Sequence, residues 1–137
     1  MNAYSTQMMT WARSSQWREE CSDDHMACGV AHNRVCGDKL KLQILFSEDG
    51  NVIKARHTGE SCALTLAAAS ALCELSEGKS RNEVKQLLKN LRSIVFDGAL
   101  VEGSPLNEFS PIHKLPSRYK CATLAIEAIE NILNEDR

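Results

Sequence analysis

The chain has 137 residues, 43% of them hydrophobic and 25% charged, which bounds it to one globular domain with a core of its own and argues against a disordered polymer. A formal charge of -2 argues against a nucleic-acid binder, which needs a surplus of Lys and Arg; Lys114, Arg118 and Lys120 make only a local basic patch. No apolar run approaches the roughly 20 residues that span a bilayer, and Met1 to Gln16 lacks the pattern of a secretory leader, so the expectation is a cytoplasmic protein without a membrane partner.

In chain order, Met8, Met9, Trp11 and Trp17 predict a short amphipathic helix that docks on the domain. A transit segment is the weaker reading of the same stretch, which carries only Arg13 and Arg18. After Cys36-Gly37-Asp38, the residues Leu40, Leu42, Ile44 and Phe46 alternate with Lys39, Lys41 and Gln43, the period of a half-buried strand. Ser47 to Asn51 is a turn signal, and Val52 to Thr58 returns as a second strand of an antiparallel hairpin. From Cys62 the run Ala63, Leu64, Leu66, Ala67, Ala68, Ala69, Ala71, Leu72 and Leu75 predicts a helix that stops at Gly78. Ser80 and Glu83 form a capping box for a helix through Leu87, Leu88 and Leu91. Phe96 to Pro116, with two glycines and three prolines, reads as a long irregular segment. A last helix starts near Cys121, with Ala122, Ala125, Ile126, Ile129 and Leu133 on one stripe. The expected class is α+β, with helices packed on one face of a small antiparallel sheet. Residues 1–137 are read as a single domain in which 1–30 is an N-terminal extension.

Six cysteines stand out. With no leader in view, reduced thiols are the default, and clustered thiols point to metal or sulfur chemistry. Cys36 and Asp38 are two apart at the start of the first strand, so extended geometry turns both to one face. Cys62 and Cys121 fall at helix starts, where the helix dipole favours thiolate. Three thiolates and a carboxylate suit tetrahedral zinc, and also suit a cluster held more weakly than by four cysteines. On residue types alone, a buried cysteine set beside a turn aspartate explains these four positions equally well. Cys73, mid-helix, reads as core packing. Cys21 and Cys28 read as exposed bystanders, a second metal site with His25 being the alternative. His57 reads as a strand surface residue and His113 as a loop residue.

Three motifs then decide between the readings. Cys36-Gly37-Asp38-Lys39-Leu40-Lys41-Leu42, Gly59-Glu60-Ser61-Cys62 before an Ala-rich helix, and Pro116-Ser117-Arg118-Tyr119-Lys120-Cys121-Ala122-Thr123-Leu124 together resemble the IscU/SufU/NifU-N family of iron–sulfur cluster assembly proteins, in order from about Asn33 to Leu133. The resemblance implies a three-stranded antiparallel sheet with helices on one side, its third strand placed before Cys36. It implies a metal or cluster site of Cys36, Asp38, Cys62 and Cys121, and a cysteine desulfurase (SufS/IscS-like) as partner. A downstream iron–sulfur carrier or apo-protein would follow, with no role for nucleic acid. Within the family the chain resembles the SufU branch: Cys62 and Cys121 are 59 positions apart (121 − 62), and Lys120 stands where IscU-type scaffolds carry histidine. That branch implies zinc and persulfide acceptance, with Cys36 as acceptor, Cys121 as the alternative acceptor, and Arg118 contacting the partner. A [2Fe–2S] assembly scaffold on the same residues is the second reading, which leaves open whether the protein is a zinc-dependent sulfurtransferase or a non-enzymatic scaffold. A structural zinc-binding interaction domain is the third. The chain departs from the family pattern at Asn33-Arg34-Val35, which lacks the usual proline, at Lys54-Ala55, and at Ser61, which replaces a glycine.

Overall fold

Leu40, Leu42 and Ile44 are fully buried along one face of a central strand, in a computed structural model that describes residues 4–135. The strands β1 (Ala27–Asn33), β2 (Asp38–Phe46) and β3 (Val52–Thr58) form an antiparallel sheet in the order β1-β2-β3. The third strand lies before Cys36, as the resemblance implies, and its register pairs Gly29 with Leu42 and Asn33 with Asp38.

Among the described residues, four α-helices accompany the sheet: α1 (Thr6–Arg13), α2 (Ala63–Ser76), α3 (Arg81–Arg92) and α4 (Tyr119–Glu135). Helix α2 is apolar nearly all round because it is enclosed, packed by α1, α4 and β3, with Ala67, Ala68, Ala69, Ala71 and Leu72 buried. Truncating Leu72 to Ala there would cost about 2–5 kcal/mol in lost burial and cavity. Helix α4 lies so close on β1 that a Cβ at Gly29 would sit 2.0 Å from the Ala128 carbonyl oxygen. Ser80 and Glu83 cap α3 reciprocally, as their spacing predicts. Met8 and Trp11 of α1 are buried, and so is Trp17 just beyond it.

Two expectations need correction. The segment between Phe96 and Pro116 is largely helical: a π-turn at Ser93–Asp97 extends α3, and a 3-10 helix spans Pro105–Lys114. Leu106, Phe109 and Ile112 recur every third residue, the 3-10 period, and all three are fully buried, Phe109 stacking on Trp11 at 5.6 Å. His113 belongs to this helix, its Nδ1 3.0 Å from the Val95 carbonyl. His57 is also not a surface residue. It is 1% exposed, and its Nε2 lies 3.0 Å from Ser70 Oγ of α2.

The outer face of the sheet is crossed by residues that precede β1. Trp17 accepts the His57 N–H at 2.9 Å at the β3 edge, and Glu20 then pairs with Lys41 of β2 at 2.7 Å. The Gln43 amide holds both backbone groups of Cys21 at 2.9 Å. Among the described residues, no helix is long and apolar enough to cross a membrane.

Candidate metal centre

Three chain segments meet at one end of the sheet. Between β1 and β2, Asn33 organises the turn: its carbonyl accepts the Gly37 N–H at 2.8 Å and its side chain accepts the Val35 N–H at 3.2 Å. Gly37 has φ +79°, a left-handed conformation that a side chain would strain. Cys36 therefore sits in a turn rather than in the strand, exposed, while Asp38 begins β2 with its carboxylate buried. Same-face alternation does not bring them together; the turn does.

The second segment approaches β2 through glycine. A Cβ at Gly59 would stand 2.1 Å from the Lys39 carbonyl oxygen, so only glycine lets the 59–61 loop lie this close. Lys39 N–H donates to Glu60 O at 3.1 Å, and Ser61 Oγ donates back to Lys39 O at 3.0 Å. Cys62 thereby becomes the N-cap of α2 directly beside Asp38, donating its N–H to Asp38 Oδ1 at 3.1 Å. Thr65, in the first turn of α2, donates its hydroxyl to Asp38 Oδ2 at 2.8 Å. The third segment is the start of α4, which places Cys121 at 4% exposure.

One donor atom each from Cys36, Asp38 and Cys121 lies within 4.8 Å of the other two. Ligand sulfurs of a tetrahedral zinc with Zn–S near 2.3 Å stand about 3.8 Å apart. The three groups are thus gathered to within about 1 Å of a ligand shell, and their chemistry fits a soft divalent metal. Cys62 Sγ does not reach that spacing to all three, but it borders Asp38 and Cys121 and rests 3.3 Å from Thr65 Oγ1. Among the described residues this is the one such group of three or more; Cys21, His25 and Cys28 do not form another. Arg118 is exposed and lines, with Val35 and Lys120, a groove of about 310 Å³ that reaches Cys36 and Cys121.

Residues 4–134 match the NifU-like N terminal domain. The chain belongs to that family. It is 28% identical over 104 residues to the zinc-dependent sulfurtransferase SufU of Bacillus subtilis (strain 168), covering 72% of this chain and 69% of that one. It is 28% identical over 134 residues to the iron–sulfur cluster assembly scaffold protein IscU of Thermotoga maritima, covering 96% and 93%. Among solved structures, the SUF-system chain FiSufU of Fervidobacterium islandicum AW-1 aligns with TM-score 0.87 at 24% identity, over 96% of each chain. A NifU-like N-terminal protein from Brucella abortus aligns with TM-score 0.84 at 15% identity, over 96% and 92%. These two show the same fold.

In this NifU-like domain the thiols differ in character. Burial, then the neighbouring Cys62, Cys36 and Asp38, push the Cys121 thiol up to about 12. Its place at a helix start does not make it a thiolate in the metal-free protein, because burial and like charge outweigh the dipole. Burial also works to raise Asp38, but hydrogen bonds from Thr65, Cys36 and Cys62 outweigh it and hold the carboxyl below its usual range. Cys73 is fully buried in mid-α2, where burial raises its thiol further, and among the described residues it joins no group of three metal-ligating side chains. Thr65 is a site residue that motif reading missed. Its signal was its place three residues after Cys62 on a helix start, where side chains i and i+3 share a face.

Proposed function

We propose that this chain accepts sulfur from the persulfide of a cysteine desulfurase at Cys36, within a zinc centre formed by Cys36, Asp38, Cys62 and Cys121. The observation that carries this reading is the asymmetry of the gathered group: Cys36 is exposed on a turn, while Asp38 and Cys121 behind it are buried. Of the three, Cys36 is the one most open to an incoming persulfide. Zinc, when bound, would keep the site thiols deprotonated and protected from oxidation. The Cys36 thiolate attacks the terminal sulfur of the partner's Cys–S–S⁻. One S–S bond forms as another breaks, the partner's cysteine leaves as thiolate, and Cys36 carries the persulfide with no net oxidation. The Gly37 conformation lets the turn move without unwinding a helix. Arg118 and Lys120, on the groove beside Cys36, offer positive charge to the partner's surface. Cys121, buried behind the turn, serves as the alternative acceptor only after the site opens. The persulfide sulfur would pass to a downstream iron–sulfur carrier or apo-protein.

A [2Fe–2S] scaffold is the second reading, favoured by the match to IscU of Thermotoga maritima over nearly the whole chain. Metal content of the protein as purified separates the two. The carrier reading expects one zinc per chain and stimulation of a cysteine desulfurase. A coloured protein holding iron and sulfide would favour the scaffold, and zinc without any stimulation would favour a structural domain.

A further inference from the structure

Asp38 is held at both oxygens, by Cys62 N–H at Oδ1 and by the Thr65 hydroxyl at Oδ2, at 3.1 and 2.8 Å. Together with the Cys36 and Cys62 thiols beside it, these two bonds fix the rotation of the carboxylate about its last torsion. A threonine hydroxyl has a single hydrogen. With that hydrogen committed to Asp38, Thr65 Oγ1 can only accept in its 3.3 Å contact with Cys62 Sγ. One buried hydroxyl, 0% exposed and on a β-branched side chain whose rotamer is restricted in a helix, therefore serves two site residues at once. It orients Asp38 toward Cys36 and Cys121, and it gives the Cys62 thiol, which also borders Asp38 and Cys121, a fixed partner at the helix start.

We propose that Thr65 is a positioning residue of the metal centre, setting the orientation of Asp38 and the resting place of Cys62. The proposal rests on the zinc reading above and adds a residue that would touch no metal. Groups that orient ligands in this way typically change metal affinity by about 10–100-fold when removed.

The test compares Thr65→Val, which keeps shape and β-branching without the hydroxyl, with Thr65→Ser, which keeps the hydroxyl. Zinc affinity is measured by chelator competition, thiolate ligation by the absorption of the cobalt-substituted protein, and Cys62 reactivity by alkylation of the metal-free protein. Thr65→Val should weaken zinc by about 10-fold or more, alter the cobalt spectrum, and speed Cys62 alkylation, leaving Cys36 alkylation unchanged. Thr65→Ser should restore all three. Wild-type zinc affinity in Thr65→Val, or a Thr65→Ser variant as impaired as Thr65→Val, would overturn the positioning role. If the unsubstituted protein took up no zinc, the metal reading itself would fall, a result distinct from either.

Discussion

Two buried polar pairs on the same helix, one at each side of its first half, behave oppositely. At the start of α2, Thr65 meets Asp38 across a gap between elements, beside three thiols and an exposed turn. One and a half turns on, Ser70 meets His57 in the closed interior, with Cys73 a turn further along. Both places hold groups that could bind metal or protons. Only the first brings donors from separate segments to one point and leaves one of them open to a partner. The second is sealed: His57 is held neutral, pushed down to about 4 by burial and then by the charge of Arg18. An open cluster of donors at the helix start and a sealed polar pair at its middle is the contrast, and the proposed chemistry belongs to the first.

Serine substitutions test that division most strongly. Cys36→Ser, Cys62→Ser and Cys121→Ser should each lose zinc and bring desulfurase-dependent sulfur acceptance to background, whereas Cys73→Ser should keep both. Loss of zinc in Cys73→Ser equal to the others would erase the difference between the two ends.

His57 supplies the converse test, in stability alone. Folded, it takes up a proton only near pH 4; unfolded, it does so near 6.5. The unfolded state therefore binds more protons between these values, and stability rises with pH across that window. The His57 contribution, about 3 kcal/mol from a shift of this size, is fully present above about pH 6.5 and lost as pH falls toward 4. Urea unfolding at pH 7 and pH 4.5 should show the loss, and His57→Gln should flatten it without altering zinc content at pH 7. Equal pH dependence in the two proteins would mean that the buried histidine is not what senses acid.

Two glycines offer the smallest and most closely matched comparison. Gly37, in the turn carrying Cys36, and Gly78, after α2, have φ +79° and +85°, and neither would bring a Cβ within 4 Å of another group. Alanine at either should cost about 1–2 kcal/mol of backbone strain, read as a lower urea midpoint. Only Gly37→Ala should also slow sulfur acceptance; equal kinetics in both variants would remove the turn from the mechanism.

Much of this arrangement was legible in the residues. Leu40, Leu42 and Ile44 marked the inner face of β2, and the motifs around Cys36, Cys62 and Cys121 placed the three thiols at element ends. The burial of His57 was hidden because its partners come from far along the chain: α2 covers one side, and Trp17 pairs with its backbone. The 3-10 helix was masked by Pro105 and Pro111, although Pro105 stands at the helix start, where it forfeits no needed N–H, and Leu106, Phe109 and Ile112 keep the period. Thr65 escaped because a hydroxyl on an apolar helix has no motif until Asp38 is seen opposite it.

The exposed turn cysteine, not the buried helix cysteine, is the proposed site of sulfur acceptance. This is tested most directly by incubating the zinc-loaded protein with a cysteine desulfurase and L-cysteine, trapping thiols by alkylation, and mapping the added sulfur by peptide mass spectrometry at successive times. One extra sulfur is expected to appear first on Cys36. Sulfur found first on Cys121, or on Cys36 and Cys73 alike, would contradict it.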